Sequence, residues 1–354
     1  MTSYYSALKI FRFRDHIESL DNGKAIAPIH VRVKPTNLCN HKCWYCAYRM
    51  ENLTLGNEMV EADSIPAEKM MAIAKEFVEI GVKAVTFSGG GEPLLYKPLP
   101  EVIEILATGN IRVAALTNGS NLKGRVAAAF AKYGTWVRIS LDAWDDASYI
   151  KSRGAQPFDF TRLMDNICKF TALKSNCILG VSFIVGHENH QHLADVCSLL
   201  KECGVQHVKV SGVVTSNNSD GNKAYHKAIK SSVEFQINLA QSLIDENFTV
   251  INHYHDLEDR FEKNYHTCPS ISLMTILGAD QNIYTCQDKA YTESGLLGSI
   301  AKISFKDFWF SSENQSILKF FDPSAKCHHH CVSHHKNMAI QEYRLLDNEH
   351  SYFI

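Results

Sequence analysis

Three cysteines, Cys39, Cys43 and Cys46, lie within eight residues of sequence. They follow residues 30–34, a short alternating segment that predicts a β-strand. Thiolates spaced this closely in one loop can bind a single inorganic centre, and soft thiolate ligands favour iron–sulfur clusters, zinc or copper(I). A set of three rather than four leaves one metal position free for a ligand that is not protein.

Zinc is the main alternative to an iron–sulfur cluster. A structural zinc site usually has four protein ligands, often as two C-x2-C pairs. His41 lies inside the loop that it would have to close, so it is a poor fourth ligand. Three buried structural thiols are a weaker interpretation for cysteines this dense in a polar loop. The spacing therefore favours an iron–sulfur cluster.

A glycine run follows the next strand-like segment. Residues 83–87 are mostly β-branched or aromatic, and they lead into Ser-Gly-Gly-Gly-Glu-Pro at positions 88–93. Successive glycines let the backbone come close to a ligand, so this run is a candidate binding loop. A plain glycine turn is the alternative interpretation.

The order of these motifs resembles that of the radical S-adenosylmethionine (SAM) superfamily. The C-x3-C-x2-C motif comes first, and a helix, a strand and Gly-Gly-Glu-Pro follow. The resemblance implies that Cys39, Cys43 and Cys46 hold a [4Fe-4S] cluster whose fourth iron is chelated by the amino and carboxylate groups of SAM. It also implies contacts to SAM from Tyr45, Gly89, Gly90, Gly91, Glu92, Asn118, Ser140, Asp142 and Arg153.

Polar residues at strand ends support the same region as the site. Asn118, Ser140 and Asp142 fall at the carboxyl ends of predicted strands, where parallel βα units bind ligands. Asp142 could instead cap the next helix. Glu188 and Asn189, just after the fifth predicted strand, are further candidates to face SAM.

The alternation of strands and helices predicts an α/β fold. Strand-like runs at 30–34, 83–87, 112–117, 136–142, 177–185 and 206–211 make six strands. The resemblance implies a partial (β/α)6 TIM-like radical SAM barrel. We expect an N-terminal segment over 1–27, the barrel over 28–247 and a C-terminal extension over 248–354.

Four cysteines after the barrel are predicted to form a second site, Cys268, Cys286, Cys327 and Cys331. A hairpin beginning near residue 272, with a turn at 278–280, separates the first two. One cysteine before a hairpin, one at its end and a later pair resemble a twitch extension, a shortened SPASM domain. That resemblance implies one auxiliary [4Fe-4S] cluster.

A four-cysteine zinc site is the open alternative for this extension. The run Cys-His-His-His-Cys at 327–331, with His334 and His335, adds nitrogen donors that zinc accepts. We expect these histidines to be solvated or beside the ligands rather than ligating. The molybdenum-cofactor enzyme of this superfamily is disfavoured, because its tail would have three cysteines and a terminal Gly-Gly.

Composition is that of an ordinary globular protein. The chain has 354 residues, of which 45% are hydrophobic and 21% charged, and its net charge is −2. No long basic run predicts a nucleic-acid surface, and no long apolar run or signal peptide is apparent, so a cytoplasmic protein is expected. Cys168, Cys177, Cys197 and Cys203 are expected to be buried thiols without chemistry, since disulfides are rare in a reducing compartment.

The resemblance implies a reaction class. A flavodoxin or ferredoxin would supply an electron, SAM would be cleaved to a 5'-deoxyadenosyl radical, and that radical would abstract hydrogen from a substrate C–H bond. With an auxiliary cluster nearby, the substrate would be oxidised by two electrons, as when an alcohol on an amino-sugar or aminocyclitol becomes a ketone. Modification of a peptide or protein side chain, redox-neutral epimerisation, and a non-catalytic metal-binding protein are the alternatives.

Two segments are candidates for substrate contacts. Residues 211–222 form a polar stretch that could cover the barrel mouth, although a surface turn is the simpler interpretation. His253, Tyr254 and His255 are candidate bases, while the catalytic residue itself stays unassigned.

Overall fold

One ten-stranded sheet organises the protein. The computed structural model describes residues 5–50, 53, 55–254, 260–347 and 349–353. The strand order is β10-β9-β8-β1-β2-β3-β4-β5-β6-β7. The strands are β1 (His30–Val33), β2 (Ala84–Phe87), β3 (Arg112–Thr117), β4 (Gly134–Ser140), β5 (Ile178–Val185), β6 (His207–Gly212), β7 (Thr249–Asn252), β8 (Met274–Leu277), β9 (Asn282–Tyr284) and β10 (Leu296–Ser299).

Helices connect the parallel strands β1 to β7, and further helices precede β1 and follow β10. They are α1 (Arg14–Asn22), α2 (Ala67–Ile80), α3 (Leu99–Thr108), α4 (Gly124–Tyr133), α5 (Asp146–Arg153), α6 (Asp159–Ala172), α7 (Leu193–Glu202), α8 (Ser219–Lys227), α9 (Lys230–Gln241), α10 (Ser270–Leu273), α11 (Phe305–Trp309), α12 (Ser312–Phe320), α13 (Pro323–Lys326) and α14 (His334–Arg344). This βα alternation confirms the predicted α/β class.

All six predicted strands are present, and the parallel sheet remains open, as a partial barrel requires. Two further strands join it in parallel. β7 pairs with β6, and β8 pairs with β1 on the opposite side. Each of the two is four residues long.

The C-terminal hairpin continues the barrel sheet. β8 and β9 pair antiparallel, which confirms the predicted hairpin, and β10 adds a third antiparallel strand. Because β8 also pairs with β1, hydrogen bonds connect the extension directly to the first barrel strand. The division at residues 27 and 247 stays a prediction.

The core lies between the sheet and its helices. Val33 and Val85 of neighbouring strands are buried, and they belong to the same apolar cluster as Phe77 of α2 and Ile103 of α3. In a strand, alternate side chains point to opposite faces. The residues that directly flank Val33 in β1 and Val85 in β2 therefore face the interior of the barrel.

A short C-terminal helix docks on the outside of this core. Trp309 of α11 is 1% exposed, stacks on Phe305 and donates its indole N–H to Ile26 O over 2.8 Å. Glu76 of α2 accepts a hydrogen bond from the backbone N–H of Phe305 at 2.6 Å. These contacts join the C-terminal region to the segment before β1 and to α2.

One expectation about the cysteines is wrong. Cys168 in α6 and Cys203 just after α7 form a disulfide, whereas both were expected to be buried free thiols. Consecutive helices of the barrel lie side by side, so their ends meet although 35 residues separate them in sequence. Cys177 and Cys197 are free and buried, as predicted.

Among the described residues, no helix has both the length and the apolar character needed to cross a membrane.

Replacement of Trp309 by alanine tests the docking of α11. Loss of a fully buried indole should lower the free energy of unfolding by about 3–5 kcal/mol. Phe320→Ala is the matched control, since Phe320 is 73% exposed and its loss should change stability by less than about 0.5 kcal/mol. Urea unfolding of both variants measures the difference, and equal stabilities would contradict this account of the interface.

Candidate functional site

The first cysteine set lies in the loop after β1. Cys39, Cys43 and Cys46 are all free and half-buried. The backbone N–H of Cys46 donates to Cys43 O at 3.2 Å, which gives the loop a tight turn between its last two cysteines. Burial raises the pKa of Cys39 and of Cys46, and the charge of Cys43 adds to the effect at both.

The glycine run packs against the start of this loop. A Cβ at Gly90 would lie 2.0 Å from Asn37 Oδ1, and one at Gly91 would lie 2.1 Å from Leu38 O. The backbone N–H of Glu92 also donates to Leu38 O over 2.8 Å. Glycine is therefore required here for contact with the cysteine loop itself, in addition to any contact with a ligand.

Glu92 connects the ends of two neighbouring strands. Its buried carboxylate accepts hydrogen bonds from Thr117 Oγ1 at 2.5 Å and from the Asn118 backbone N–H at 2.6 Å. Burial raises the pKa of this carboxyl, while these hydrogen bonds oppose the rise. Asn118 in turn donates to Asn40 Oδ1 at 2.9 Å, so the end of β3 contacts the cysteine loop.

A buried ion pair lies beside the same loop. Arg153, at the end of α5, pairs with Asp142, and both side chains are at most 4% exposed. The hydroxyl of Tyr45 donates to the same carboxylate, and the guanidinium of Arg153 lies 5.5 Å from the Tyr45 ring centroid. A guanidinium nitrogen of Arg153 is also 3.6 Å from Cys43 Sγ. The structure thus brings together three of the predicted SAM-binding residues and one predicted cluster ligand.

Asp142 does not cap the following helix. The N-cap of α5 is Asp145, which forms a capping box with Ser148. Asp142 instead accepts a hydrogen bond from the backbone N–H of Ile184 in β5, and its own carbonyl accepts from Asn189 Nδ2 at 3.0 Å. The helix-cap interpretation of Asp142 is therefore wrong.

The remaining predicted SAM contacts differ in their surroundings. Ser140 is half-buried at the carboxyl end of β4. Asn189 is buried, and its side chain bonds the backbone of Gly186 and Ile184. Glu188 is exposed and pairs with Lys151 over 2.5 Å. Of the two residues expected after β5, only Asn189 contacts this group of side chains.

The donor set of this loop fits a cluster with an open position. Three thiol ligands lie in one loop, and cations lie beside them. The charges of Arg49 and Lys34 oppose the rise that burial causes in the pKa of Cys46, and Arg153 lies beside Cys43. Positive groups near thiolates favour their deprotonated, metal-binding form.

All four C-terminal cysteines line one pocket. Cys268 precedes α10, Cys286 follows β9, and Cys327 and Cys331 lie between α13 and α14. Asn337 of α14 donates to Cys268 Sγ at 3.1 Å. Burial raises the pKa of each thiol, most strongly that of Cys286, where the neighbouring cysteines and Asp288 add to the rise. These positions fit a four-thiolate centre.

Sequence reasoning missed two potential ligands at this pocket. The ligand atoms of Cys286, Asp288 and His329 all lie within 4.8 Å of one another. His329 is only 5% exposed, so it is not solvated as the interpretation of the histidine run allowed. Asp288 follows Cys286 by two residues and His329 lies between Cys327 and Cys331, a spacing that could have indicated both.

Lys263 lies at the same pocket and was also missed. Its ammonium group is buried and donates to Arg260 O at 3.0 Å and to Phe261 O at 2.6 Å. Burial lowers its pKa, whereas the nearby Cys331 and Cys327 raise it. This cation would offset negative charge on the thiolates.

A buried polar chain joins the two cysteine sites. Lys34 directly follows β1 and donates to Gly89 O at 2.9 Å and to the hydroxyl of Tyr48. That hydroxyl also accepts from Gln287, the residue after Cys286. Tyr48 is two residues after Cys46, so one tyrosine contacts the surroundings of both sites.

The candidate bases lie after β7. His253 contacts the ring of Tyr5, with centroids 5.5 Å apart. Tyr254 is buried, and its hydroxyl lies 3.1 Å from Nδ1 of His226. His255 lies outside the described residues. In the predicted substrate loop, residues from Ser219 onward form α8, and Asn222 is buried with its side chain bonded to the Ser216 and Asn218 carbonyls.

His207 faces the interior of the barrel at the start of β6. Its side chain is 4% exposed and its Nε2 lies 3.1 Å from the hydroxyl of Tyr5. Burial lowers the pKa of His207 to about 4, and the positive charge of Arg138 adds to the decrease. This histidine is therefore neutral at pH 7.

A sequence profile of the Radical SAM superfamily matches residues 33–200, the segment that contains the cysteine loop, the glycine run and the Asp142–Arg153 pair. Residues 33–200 form a radical SAM domain. This confirms the resemblance found in the sequence, and it implies a [4Fe-4S] cluster and SAM as cofactors.

Curated relatives match parts of this radical SAM chain. A GTP 3',8-cyclase of Psychromonas ingrahamii is 32% identical over 123 residues, which is 34% of this chain and 34% of that protein. An S-adenosylmethionine-dependent nucleotide dehydratase of Lacinutrix mariniflava is 29% identical over 113 residues, 32% of this chain and 23% of that protein. The chain thus spans about a third or less of the length of these two relatives.

Solved radical SAM structures share the fold. SuiB of Streptococcus suis bound to its precursor peptide SuiA superposes with a TM-score of 0.63 at 16% identity, covering 90% of this chain and 73% of that one. The enzyme anSMEcpe with bound AdoMet gives a TM-score of 0.60 at 16% identity, covering 90% and 98%. The similarity therefore extends beyond residues 33–200 to most of the chain.

Replacement of Asp142 by asparagine tests the buried ion pair. Arg153 would keep a buried charge without its carboxylate partner, which should lower the free energy of unfolding by about 3–5 kcal/mol. Asp165→Asn is the control, because Asp165 pairs with Lys169 on the exposed face of α6 and should contribute less than about 1 kcal/mol. Urea unfolding distinguishes the two, and a loss as small as that of the control would rule out a stabilising role for the buried pair.

His207 should make stability depend on pH. Its pKa is lower in the folded state than the 6.5 of the free side chain, so the unfolded state binds the extra proton first. The contribution of His207 to the free energy of unfolding is complete above pH 6.5. It is lost as pH falls toward 4, by at most about 1.4 kcal/mol per pH unit. Between pH 7 and pH 5, the free energy of unfolding should decrease less steeply with falling pH for His207→Gln than for the wild type. The exposed His266→Gln should follow the wild type, and identical slopes for all three proteins would contradict the assignment.

Proposed function

We propose that this chain is a radical SAM oxidoreductase with two iron–sulfur sites. Cys39, Cys43 and Cys46 would hold the cluster that binds SAM. A second cluster would be held by Cys268, Cys286, Cys327 and Cys331. The observation that carries the proposal is that these four cysteines, distant in sequence, line one pocket. A cluster held there could accept the electron that a two-electron oxidation of the substrate releases.

When bound, these groups supply the electron that cleaves SAM, a radical that removes hydrogen from the substrate, and an acceptor for the second electron of an oxidation. The protein's share is to hold the ligands and to balance their charge. Arg153 lies 3.6 Å from Cys43 Sγ, and the charge of Lys34 acts on Cys46. Lys263 would balance the charge of the thiolates at the second pocket in the same way.

Orientation of SAM is the second task of the chain's residues. We propose that Tyr45, Ser140, Asn118 and the glycine run face SAM, because they surround the cysteine loop at the carboxyl ends of the strands. Asp142 would act mainly by fixing Arg153 and Tyr45, since its carboxylate already binds both. Glu92 would likewise hold the ends of β2 and β3 together.

Oxidation of an alcohol also requires a proton acceptor. His253 and Tyr254 follow the carboxyl end of β7, and the site lies at the carboxyl ends of the parallel strands. We therefore keep both residues as candidates for this role. The proposed substrate is a secondary alcohol on an amino-sugar or aminocyclitol type molecule, and the proposed electron donor is a flavodoxin or ferredoxin.

Peptide modification is the second candidate function. SuiB and anSMEcpe are both described with bound peptides, and each covers 90% of this chain. That similarity concerns the fold, whereas the curated relatives are named for reactions of nucleotides. The two sets of names therefore support different substrates.

Iron and sulfide analysis of anaerobically purified protein, with electron paramagnetic resonance of the reduced form, tests the two-site proposal. A Cys39→Ala/Cys43→Ala/Cys46→Ala variant should keep about four iron atoms per chain, as one four-cysteine cluster requires, and should form no 5'-deoxyadenosine from SAM. A Cys327→Ala/Cys331→Ala variant should lose the other cluster and still cleave SAM under a strong reductant.

Cys197→Ala is the matched control, because Cys197 is a buried free thiol away from both sites, and it should keep all the iron. If the triple variant retains zinc and no iron, the second pocket is a zinc site. Cys286, Asp288 and His329 would then be the first ligands to examine, and oxidation through a second cluster is excluded.

A further inference from the structure

Two strands place an arginine on the interior face of the barrel. Arg32 precedes Val33 in β1, and Arg138 follows Val137 in β4. Both valines are buried in the core that packs against the helices. Because side chains alternate along a strand, Arg32 and Arg138 point into the barrel. Lys34, one position after Val33, points the same way.

Within the described ranges, none of these three cations has a carboxylate partner. In the part of the chain that the structure describes, no ion pair includes Arg32, Lys34 or Arg138. The Nε atoms of Arg32 and Arg138 are buried and make no hydrogen bond. Arg138 donates from Nη1 only to the neutral hydroxyl of Tyr5, at 2.7 Å.

The arginines also repel each other. Burial lowers the pKa of Arg32, and the charge of Arg138 is the next cause of the decrease. Buried cations without an anion are costly, because desolvation is not offset by a partner. Such an arrangement is expected where a ligand supplies the missing negative charge.

The cysteine sites supply only part of this charge. Asp288 and Cys286 act on Arg32, and Cys46 acts on Lys34. The contacts of Arg138 are with Tyr5, whose hydroxyl it binds and whose ring centroid lies 5.5 Å from its guanidinium, and with the ring of Trp136 at 5.9 Å. Arg138 lies on β4, three strands from β1. Positive charge without a nearby anion therefore extends across the barrel interior.

We propose that the barrel interior binds the phosphate group of a phosphorylated small-molecule substrate through Arg32 and Arg138, with Lys34 on the side of the SAM cluster. This inference rests on the proposed function, since it names the substrate class of the same site. A guanidinium presents a planar fork that matches phosphate oxygens, and a phosphate has enough peripheral oxygens to accept hydrogen bonds from two arginines at once.

The position of the cations also orients the substrate. Lys34 contacts Gly89 O and Tyr48, so it marks the end of the interior nearest the cysteine loop. Arg32 lies two residues earlier in the same strand, further from the cysteine loop. A phosphate held by the arginines would leave the rest of the molecule between them and the cluster, where hydrogen abstraction takes place.

Calorimetric titration of the anaerobically reconstituted protein with inorganic pyrophosphate tests this site. Wild type should bind pyrophosphate, and Arg138→Gln should weaken the affinity by at least about tenfold through loss of a charge-assisted contact. Arg138→Lys should give an intermediate affinity, because it keeps the charge and loses the fork. Arg125→Gln is the matched control, since Arg125 is an exposed arginine paired with Glu101 on the surface.

Thermal unfolding without pyrophosphate gives a second readout. Removal of a half-buried positive charge should leave Arg138→Gln as stable as wild type or more stable, whereas a purely structural arginine would make the variant less stable. Arg32→Gln provides an independent variant with the same expected loss of affinity. Unchanged pyrophosphate affinity in both glutamine variants, or an equal loss in Arg125→Gln, would overturn the proposal.

The titration needs no SAM cleavage, so the two proposals fail separately. Pyrophosphate binding that depends on Arg138, in a protein that forms no 5'-deoxyadenosine, would remove the proposed function and leave the anion site. SAM cleavage in a protein without Arg138-dependent binding would remove the anion site alone.

Discussion

The buried pair of Arg153 and Asp142 joins four separate parts of the barrel. Asp142 comes from the end of β4 and binds the backbone of β5, while Arg153 comes from the end of α5. Through Tyr45 and Cys43 the same two side chains contact the cysteine loop. A charge pair excluded from water tolerates little displacement, because either partner alone would be left uncompensated. The position of the cysteine loop relative to the strand ends therefore depends on this contact.

A second constraint acts from the other side of the loop. Gly90 and Gly91 approach Asn37 and Leu38 so closely that no side chain would fit between them. The glycine run and the beginning of the cysteine loop thus form one packed unit, which Glu92 extends to β3. Together with the ion pair, this unit holds the loop between β1 and the ends of β3 and β4.

Local pattern predicted much of this arrangement. The strand segments β1 to β6, the hairpin around residues 278–280 and both cysteine sets follow from spacing and alternation within short windows. The pairing of β8 with β1, the Cys168–Cys203 disulfide and the grouping of Asp288 and His329 with Cys286 depend on residues that meet only in the folded chain. Sequence identified Asp142 and Arg153 as separate candidates, but it could not indicate that they bind each other, since they are eleven positions apart and Arg153 is the last residue of α5.

The central place of β1 has a consequence for how the chain folds. β1 lies between β2, its near neighbour in sequence, and β8, which comes from the last quarter of the chain. His30 is paired with both Ala84 and Met274. Contacts between such distant segments form late, because a long stretch of chain must first be ordered to close the loop. During synthesis, the edge of β1 that receives β8 stays unpaired until residues 274–277 have left the ribosome, so the two cysteine sites can come together only after that point.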